Sequence, residues 1–370
     1  MQKKRRPEDK YLNVERLIEQ HPAKIYLIWS GRERGKSTNV LNYQIKRSYE
    51  NELKFATIYR NEKRMADMLK YYNHKYNIQY LQKITDGEFD HFRAKSDNVY
   101  FSYYSKQNGK EVIGPIAGYY KFLGDQSDFK SLQFDDCYNI SFEEFVTDDY
   151  YLVDEVYKFE SLLSTMLRER QKDEETKVFL LGNTLSRVNP YLKEWGLLDV
   201  LDFQPNDAKE YIVQKENFKF NIYCWMMEDW DDDTLAMSKK GKNIAKGQWE
   251  EKQVPLLNDD FRNYRQLYYF LYAYCGFYFD FYLLKTKNNT YFLYCKKRTE
   301  KLENLENIRT IGRFKNLLSN YHTDDFTAIT PNEKVVINLI NQNKILFDNT
   351  ATGTDFYNAF KQMKKDRLFT

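Results

Sequence analysis

Ile25-Tyr26-Leu27-Ile28-Trp29-Ser30-Gly31-Arg32-Glu33-Arg34-Gly35-Lys36-Ser37-Thr38 is the stretch that decides the fold. An apolar run enters a polar loop, and the loop ends in Gly-Lys-Ser. This is the pattern of a P-loop: a buried strand, a turn that wraps phosphate oxygens, and a helix whose N-terminus faces them. In that reading residues Ser30 to Thr38 cradle ATP, Lys36 reaches the β- and γ-phosphates, and the Ser37 hydroxyl meets Mg²⁺. Gly35 lets the backbone approach, because it has no Cβ to clash. Ser30 stands where G-x-x-x-x-G-K-[ST] has its first glycine, with Gly31 one place late. Arg32 and Arg34 can add guanidinium groups to the phosphates.

Working outward, Tyr11 to Gln20 reads as a short helix and Asn39 to Tyr49 as the continuation of the P-loop helix. Phe55 to Arg60 is a β-type run at the place of a second strand in a βαβ unit. Arg60, Asn61 and Lys63 fall at its carboxyl end, the edge where open α/β sheets bind ligands, although a solvated turn explains them as well. Arg64 to Tyr76 is expected to be helical. Phe89 to Gly118 reads as short strands, with turn signals at Asn108-Gly109 and Gly114-Pro115. Gly124 to Ser131 reads as a loop.

Two acidic pairs compete for the strand-end position that a P-loop ATPase needs. Glu143-Glu144 follows Tyr138-Asn139-Ile140-Ser141-Phe142. Asp154-Glu155 follows Tyr150-Tyr151-Leu152-Val153, a more apolar run. Apolar residues at helical spacing follow Asp154, so a helix N-cap accounts for it. Glu143-Glu144 has no comparable structural explanation and is the favoured pair. The helix ends in Arg168-Glu169-Arg170. Lys177 to Leu181 is the next strand, and it leads into Gly182-Asn183-Thr184. A polar residue at the place of Asn183 can touch both an attacking water and the γ-phosphate, while a plain Gly-Asn turn is the bland alternative.

Formal net charge is +3, so contact with nucleic acid would have to come from local patches. Cys137, Cys224, Cys275 and Cys295 form no C-x-x-C and read as buried thiols in a reducing cytosol. The four histidines are scattered, against a zinc site. No apolar run approaches the ~18 residues of a membrane span. A soluble, intracellular protein is the expectation.

Arg32 through Ser37, Glu143-Glu144-Phe145, Arg168-Glu169-Arg170 and Leu181 through Tyr191 come in this order. Together they resemble the genome-packaging ATPases (encapsidation proteins) of small podoviruses, the phi-twenty-nine-like phages. Ser186-x-Val188-Asn189-Pro190-Tyr191 is the most distinctive piece. The resemblance runs thinly to the end, through Gly276-Phe277, Phe347-Asp348-Asn349 and Tyr357 to Lys364. It implies an α/β fold: an ASCE-type P-loop ATPase domain with a parallel central sheet (1–207), a linker domain (208–256) and a smaller RNase H-like α+β domain (257–370). It implies ATP and Mg²⁺ as cofactors, with Lys36 on phosphate and Ser37 and Glu143 on the metal. Glu144 matches the glutamate that orients water, and Asn183 the polar partner that can hold it inactive. Arg32 matches the P-loop arginine. Arg168 matches the arginine finger given to the neighbouring subunit, and Lys63 lies near a family lysine acting across the same interface. Glu143 stands where the family has Asp. The implied partners are double-stranded DNA, the portal and procapsid, further copies of the chain in a homo-oligomeric ring and, in some relatives, a structural RNA. The implied place is the host cytoplasm, attached transiently to the procapsid.

In the expected linker an acidic cluster (Glu228 to Asp233) precedes a basic one (Lys239 to Lys246), where Lys239, Lys240, Lys242 and Lys246 can meet DNA phosphate or form a solvated loop. Further on, Tyr278 to Leu284 and Tyr291 to Cys295 read as strands, and Leu302 to Leu318 and Tyr357 to Arg367 as helices. A two-metal nuclease needs several carboxylates, and the first of those strands offers only Asp280. A vestigial nuclease follows. Two other readings stay open: a terminase-type motor with an active nuclease, and a nucleotide-gated DNA-binding scaffold.

Overall fold

Strand β1 (Ile25–Ser30) is buried along its whole length. A strand with no exposed face belongs inside a parallel sheet covered on both sides. The computed structural model places it there. It describes residues 11–31, 34–62, 65–124, 134, 136–147, 149–170, 173–215, 218–227, 249, 251–257, 263–274, 277–298 and 338–365. The chain divides into two compact units. The larger holds Met1–Thr147, Tyr151–Leu185 and Asp199–Gln248, and the smaller holds Asp148–Tyr150, Ser186–Leu198 and Trp249–Thr370.

In the larger unit the order is α1 (Val14–Gln20), β1, α2 (Lys36–Asn51), β2 (Lys54–Tyr59), α3 (Met65–Tyr72), α4 (Lys75–Ile84), β3 (His91–Lys95), β4 (Asn98–Tyr104), β5 (Glu111–Phe122), β6 (Cys137–Glu143), α5 (Glu155–Leu167), β7 (Lys177–Asn183), β8 (Ala208–Lys215) and β9 (Phe218–Met226). The nine strands form one sheet in the order β3-β4-β5-β2-β6-β7-β1-β9-β8. Neighbours from β5 through β9 are parallel, and the pairs β3–β4, β4–β5 and β8–β9 are antiparallel.

The P-loop helix α2 carries two apolar faces. Val40 and Tyr43 pack with Tyr26 and Ile28 of β1, Phe179 and Leu181 of β7, and Leu17 of α1. Leu41 and Ile45 join Phe55, Met68, Tyr72 and Leu81. So α2 is wedged between two clusters, and its N-terminus is fixed against the carboxyl ends of the strands.

Several expectations are corrected. Tyr150 to Val153 is not a strand, since no ladder reaches it. Asp154 does sit one residue before α5, but in the left-handed region (φ 55°) and without a capping bond from its side chain. The single helix expected over Arg64 to Tyr76 is, among the described residues, two: one ends at Tyr72 and the next starts at Lys75. Asn108-Gly109 does turn, with Gly109 at φ 67° and its N–H on the Ser105 carbonyl. Gly114-Pro115 does not: both lie inside β5. The ladder to β4 is irregular there, and β2 pairs only from Gly118 onward, so Pro115 displaces no regular bond.

Residues 208–226 were expected to open a linker, yet they form the β8–β9 hairpin of the main sheet. The apolar run Ile222 to Met226 fits a strand paired on both sides, by β1 and by β8. The charged clusters of that linker, Leu302 to Leu318 and the loop after Gly124 lie outside the described residues.

The smaller unit has a four-stranded sheet, β10 (Arg265–Tyr274), β11 (Phe277–Lys285), β12 (Tyr291–Lys297) and β13 (Ile345–Phe347), in that order. It is antiparallel except at β12–β13. Helix α7 (Thr350–Lys365) packs Phe356 against Phe279, Phe281 and Phe347. The Ser-x-Val-Asn-Pro-Tyr segment belongs to this unit. The Asn189 side chain caps α6 (Pro190–Glu194) by accepting from the Tyr191 and Leu192 N–H groups, and the Asn358 amide of α7 donates to Ser186 Oγ at 3.1 Å.

Candidate active site

The carboxyl ends of β1, β6 and β7 lie side by side, with Ser30 beside Asn183 and Glu143 beside Leu181. A cleft of about 400 Å³ opens there, lined among others by Lys36, Ser37, Thr38, Tyr71, Glu143, Glu144 and Asn183. Residues up to 147 apart in sequence meet because parallel strands all end on one edge.

Gly35 caps α2 at φ 68°, and an added Cβ would lie 2.9 Å from Asn39 Nδ2 and 3.2 Å from the Tyr11 ring. Only glycine meets both demands. The next residue, Lys36, is buried, and its ammonium donates to Ser30 Oγ at 2.5 Å, to the Gly31 carbonyl at 3.0 Å and to Asn183 Oδ1 at 3.2 Å. These partners are neutral oxygens. Burial, and secondarily the Arg34 charge, pull its pKa down to about 7, while Glu143 pulls it back up. The serine at the place of the first P-loop glycine thus has a use: its hydroxyl accepts from Lys36. Arg34 is buried; Arg32 and Glu33 lie outside the described residues.

Ser37 Oγ donates to Glu143 Oε2 at 2.6 Å. Two hard oxygens held together beside a lysine and a helix N-terminus are what a small divalent cation with phosphate ligands requires, so the residues fit Mg²⁺. Sequence reasoning missed Tyr71. Its hydroxyl lies 3.2 Å from Glu143 Oε1 and 3.3 Å from the Ser37 carbonyl. Burial, then Glu143, hold this phenol well above its ordinary pKa, so it stays a donor. Nothing local marks one tyrosine among 32.

Beyond the end of β6 the backbone turns sharply. Glu144 has φ 60° and is exposed at the cleft. Phe145 turns back into the core against Trp29, ring centroids 5.4 Å apart. Gly182 makes room: a Cβ there would lie 2.8 Å from Val146 and 2.9 Å from the Phe145 ring.

Arg60 was a candidate ligand residue at the sheet edge. It instead turns inward to Glu155, Nε to Oε2 at 2.8 Å and Nη2 to Oε1 at 3.0 Å. Glu155 of the competing acidic pair is therefore consumed in a buried ion pair, and Asp154 is exposed. Arg168 is exposed at the end of α5, does not line the cleft and makes no ion pair among the described residues. Lys63 lies outside them. Asp280 on β11 is bound by Arg298 at 2.9 Å, and β10, β12 and β13 contain no acid.

Among the described residues, no helix is long and apolar enough to cross a membrane. No protein-family model matches the chain, and no curated protein matches it. Two solved structures resemble it over nearly its whole length. One is the Phi-28 gp11 DNA packaging motor, at a TM-score of 0.50 and 18% identity over 95% of this chain and 98% of that one. The other is the bacteriophage Phi-29 viral genome packaging motor assembly, at a TM-score of 0.50 and 17% identity over 96% and 99%. The chain therefore has the fold of phage DNA-packaging motor proteins, an α/β P-loop architecture joined to a smaller unit.

Proposed function

We propose that the chain hydrolyses ATP to drive double-stranded DNA into a viral procapsid, acting as a ring of like subunits attached to the portal. One observation carries the reading. A buried ammonium whose hydrogen-bond partners among the described residues are neutral oxygens stands beside a Ser37–Glu143 oxygen pair, at the carboxyl edge of a parallel sheet. Phosphate would supply the counter-charge that Lys36 lacks. Support for DNA and the procapsid comes from the motor assemblies whose fold the chain shares.

In this reading Lys36 holds the β- and γ-phosphates, and the N-terminus of α2 adds its dipole to theirs. Ser37 and Glu143 hold Mg²⁺, which neutralises phosphate charge when bound. Glu144, exposed at the cleft, accepts the proton of the attacking water. Asn183 accepts from Lys36 through Oδ1, and its Nδ2 would donate to the γ-phosphate. Arg168, free of an ion pair among the described residues, extends to the neighbouring subunit's phosphate, and Lys63 is assigned to the same interface. The smaller unit does not cut DNA, because Asp280 is neutralised by Arg298 and has no second acid on its sheet.

The test is ATP turnover with and without double-stranded DNA and procapsids. Lys36→Ala should abolish hydrolysis, and Glu144→Gln should bind ATP without hydrolysing it. Wild-type turnover in either variant refutes the assignment.

A further inference from the structure

Arg60 spends its guanidinium on two things at once. Nε and Nη2 grip the Glu155 carboxylate, while Nη1 donates to the Glu144 carbonyl and Nη2 to the Phe145 carbonyl, both at 2.9 Å. The pair is buried, with side-chain exposures of 8% and 0%. The guanidinium also lies over two rings, 5.5 Å from the Phe142 centroid and 5.0 Å from that of Tyr151. Glu155 Oε2 accepts the Leu152 N–H at 2.7 Å, which fixes the carboxylate at the first residue of α5.

The carbonyls Arg60 holds belong to the residue at positive φ and its successor. A left-handed glutamate is a strained conformation that persists only when its surroundings impose it. Arg60 holds both carbonyls of that turn, and the Phe145 N–H on the Leu181 carbonyl holds it from the other side. At the other end of α5 stands Arg168. One rigid helix therefore joins the clamp on Glu144 to the arginine assigned to the neighbouring subunit.

We propose that Arg60 and Glu155 are positioning residues for Glu144, and that this clamp ties the placement of the water-activating carboxylate to α5 and hence to Arg168. The inference rests on the hydrolytic reading of the cleft. When the Glu144 backbone shifts, the Arg60 fork must shift or lose a bond, and Glu155 follows with the start of α5. A lysine at 60 cannot reproduce this, since one ammonium replaces a planar fork with donors on three nitrogens.

The experiment measures kcat, KM and fluorescent-ATP affinity of the full chain. Arg60→Lys should lower kcat by about 10²-fold, the usual effect of misplacing a catalytic group by ~1 Å, with nucleotide affinity unchanged. In a Glu144→Gln background it should leave both the ATP affinity and the residual single-turnover rate unchanged, because the group it positions is already disabled. A purely structural pair would lower affinity and stability together and would add its loss in both backgrounds. If Arg60→Lys does not fold, Arg60→Met with Glu155→Met replaces the buried pair by apolar side chains, a swap that folds well in other proteins. It removes the carbonyl clamp together with the ion pair and the Leu152 N–H bond to Glu155, and should show the same kcat loss. Wild-type kcat in whichever variant folds overturns the inference, as does an equal further loss in the Glu144→Gln background. Wild-type turnover of Glu144→Gln itself would instead overturn the reading of the cleft.

Discussion

Gly182→Ala tests how the core behind the cleft sets the chemistry in front of it. Gly182 lies in β7 opposite Trp29. Its φ is not in the left-handed region, so alanine meets no backbone penalty and only space is at issue. The added methyl would lie 2.8 Å from Val146 Cγ2, 2.9 Å from Phe145 Cε1 and 3.2 Å from Phe145 Cδ1, where ordinary contact begins at 3.4 Å. The valine methyl must retreat by about 0.6 Å and the ring by about 0.5 Å. Neither has free room: Phe145 is fully buried against Trp29, and Val146 is 1% exposed. Overpacking of this kind destabilises by roughly 1–3 kcal/mol. Each kcal/mol lowers Tm by roughly 2–4 °C in a unit of this size. The ring that moves is bonded to Glu144, so kcat should fall about tenfold, half the logarithmic effect of a ~1 Å misplacement, with KM nearly constant. Calorimetry and steady-state ATPase assays read the two effects. Gly124→Ala is the control, since the nearest atom to its added Cβ is 4.0 Å away. Wild-type Tm and kcat for Gly182→Ala would refute the packing argument.

Three further outcomes are expected. Asp154→Asn should change stability by less than about 0.5 kcal/mol and leave ATPase intact, because its exposed side chain makes no capping bond; loss of hydrolysis in the folded variant would reinstate the second acidic pair. Arg168→Ala and Lys36→Ala should each be inactive alone and partly active when mixed in one ring, where an intact Lys36 site can meet an intact Arg168; an arginine finger is worth roughly 10³–10⁵ in rate, so no recovery in verified mixed rings would exclude action in trans. In the smaller unit, burial raises the Asp355 carboxyl above its ordinary 3.8, against the pull of Lys297 and Arg187. A group raised in the folded state stabilises fully below its unfolded pKa, and that contribution is lost as pH rises through the folded value. Hydrogen exchange along α7 should therefore speed up as pH climbs above 3.8, after correction for intrinsic exchange, and Asp355→Asn should flatten the dependence.

The strand, turn and helix from Ile25 to Asn51 were legible in the sequence because everything they need is local. An apolar run, a glycine and Lys-Ser within 14 residues set the strand, the turn and the helix N-terminus. The preference for Glu143-Glu144 over Asp154-Glu155 rested on the spacing of apolar residues that starts a helix at Glu155, and α5 does start there. What that reasoning could not reach is where a side chain turns once it leaves its own element. Arg60 looked like a ligand residue at a sheet edge, and tertiary packing gave it a buried carboxylate 95 residues away. Tyr71 carried no signal, because its role exists only when α3 packs beside the end of β6. The β8–β9 hairpin passed for a linker because its pairing partner, β1, lies nearly 200 residues upstream and leaves no trace in local composition. Ser186 to Tyr191 was recognised as a motif, but only its packing against α7 shows that it belongs to the smaller unit. Local pattern fixes the elements that satisfy their own backbone; long-range contact decides which of their charges face the cleft and which are spent in the core.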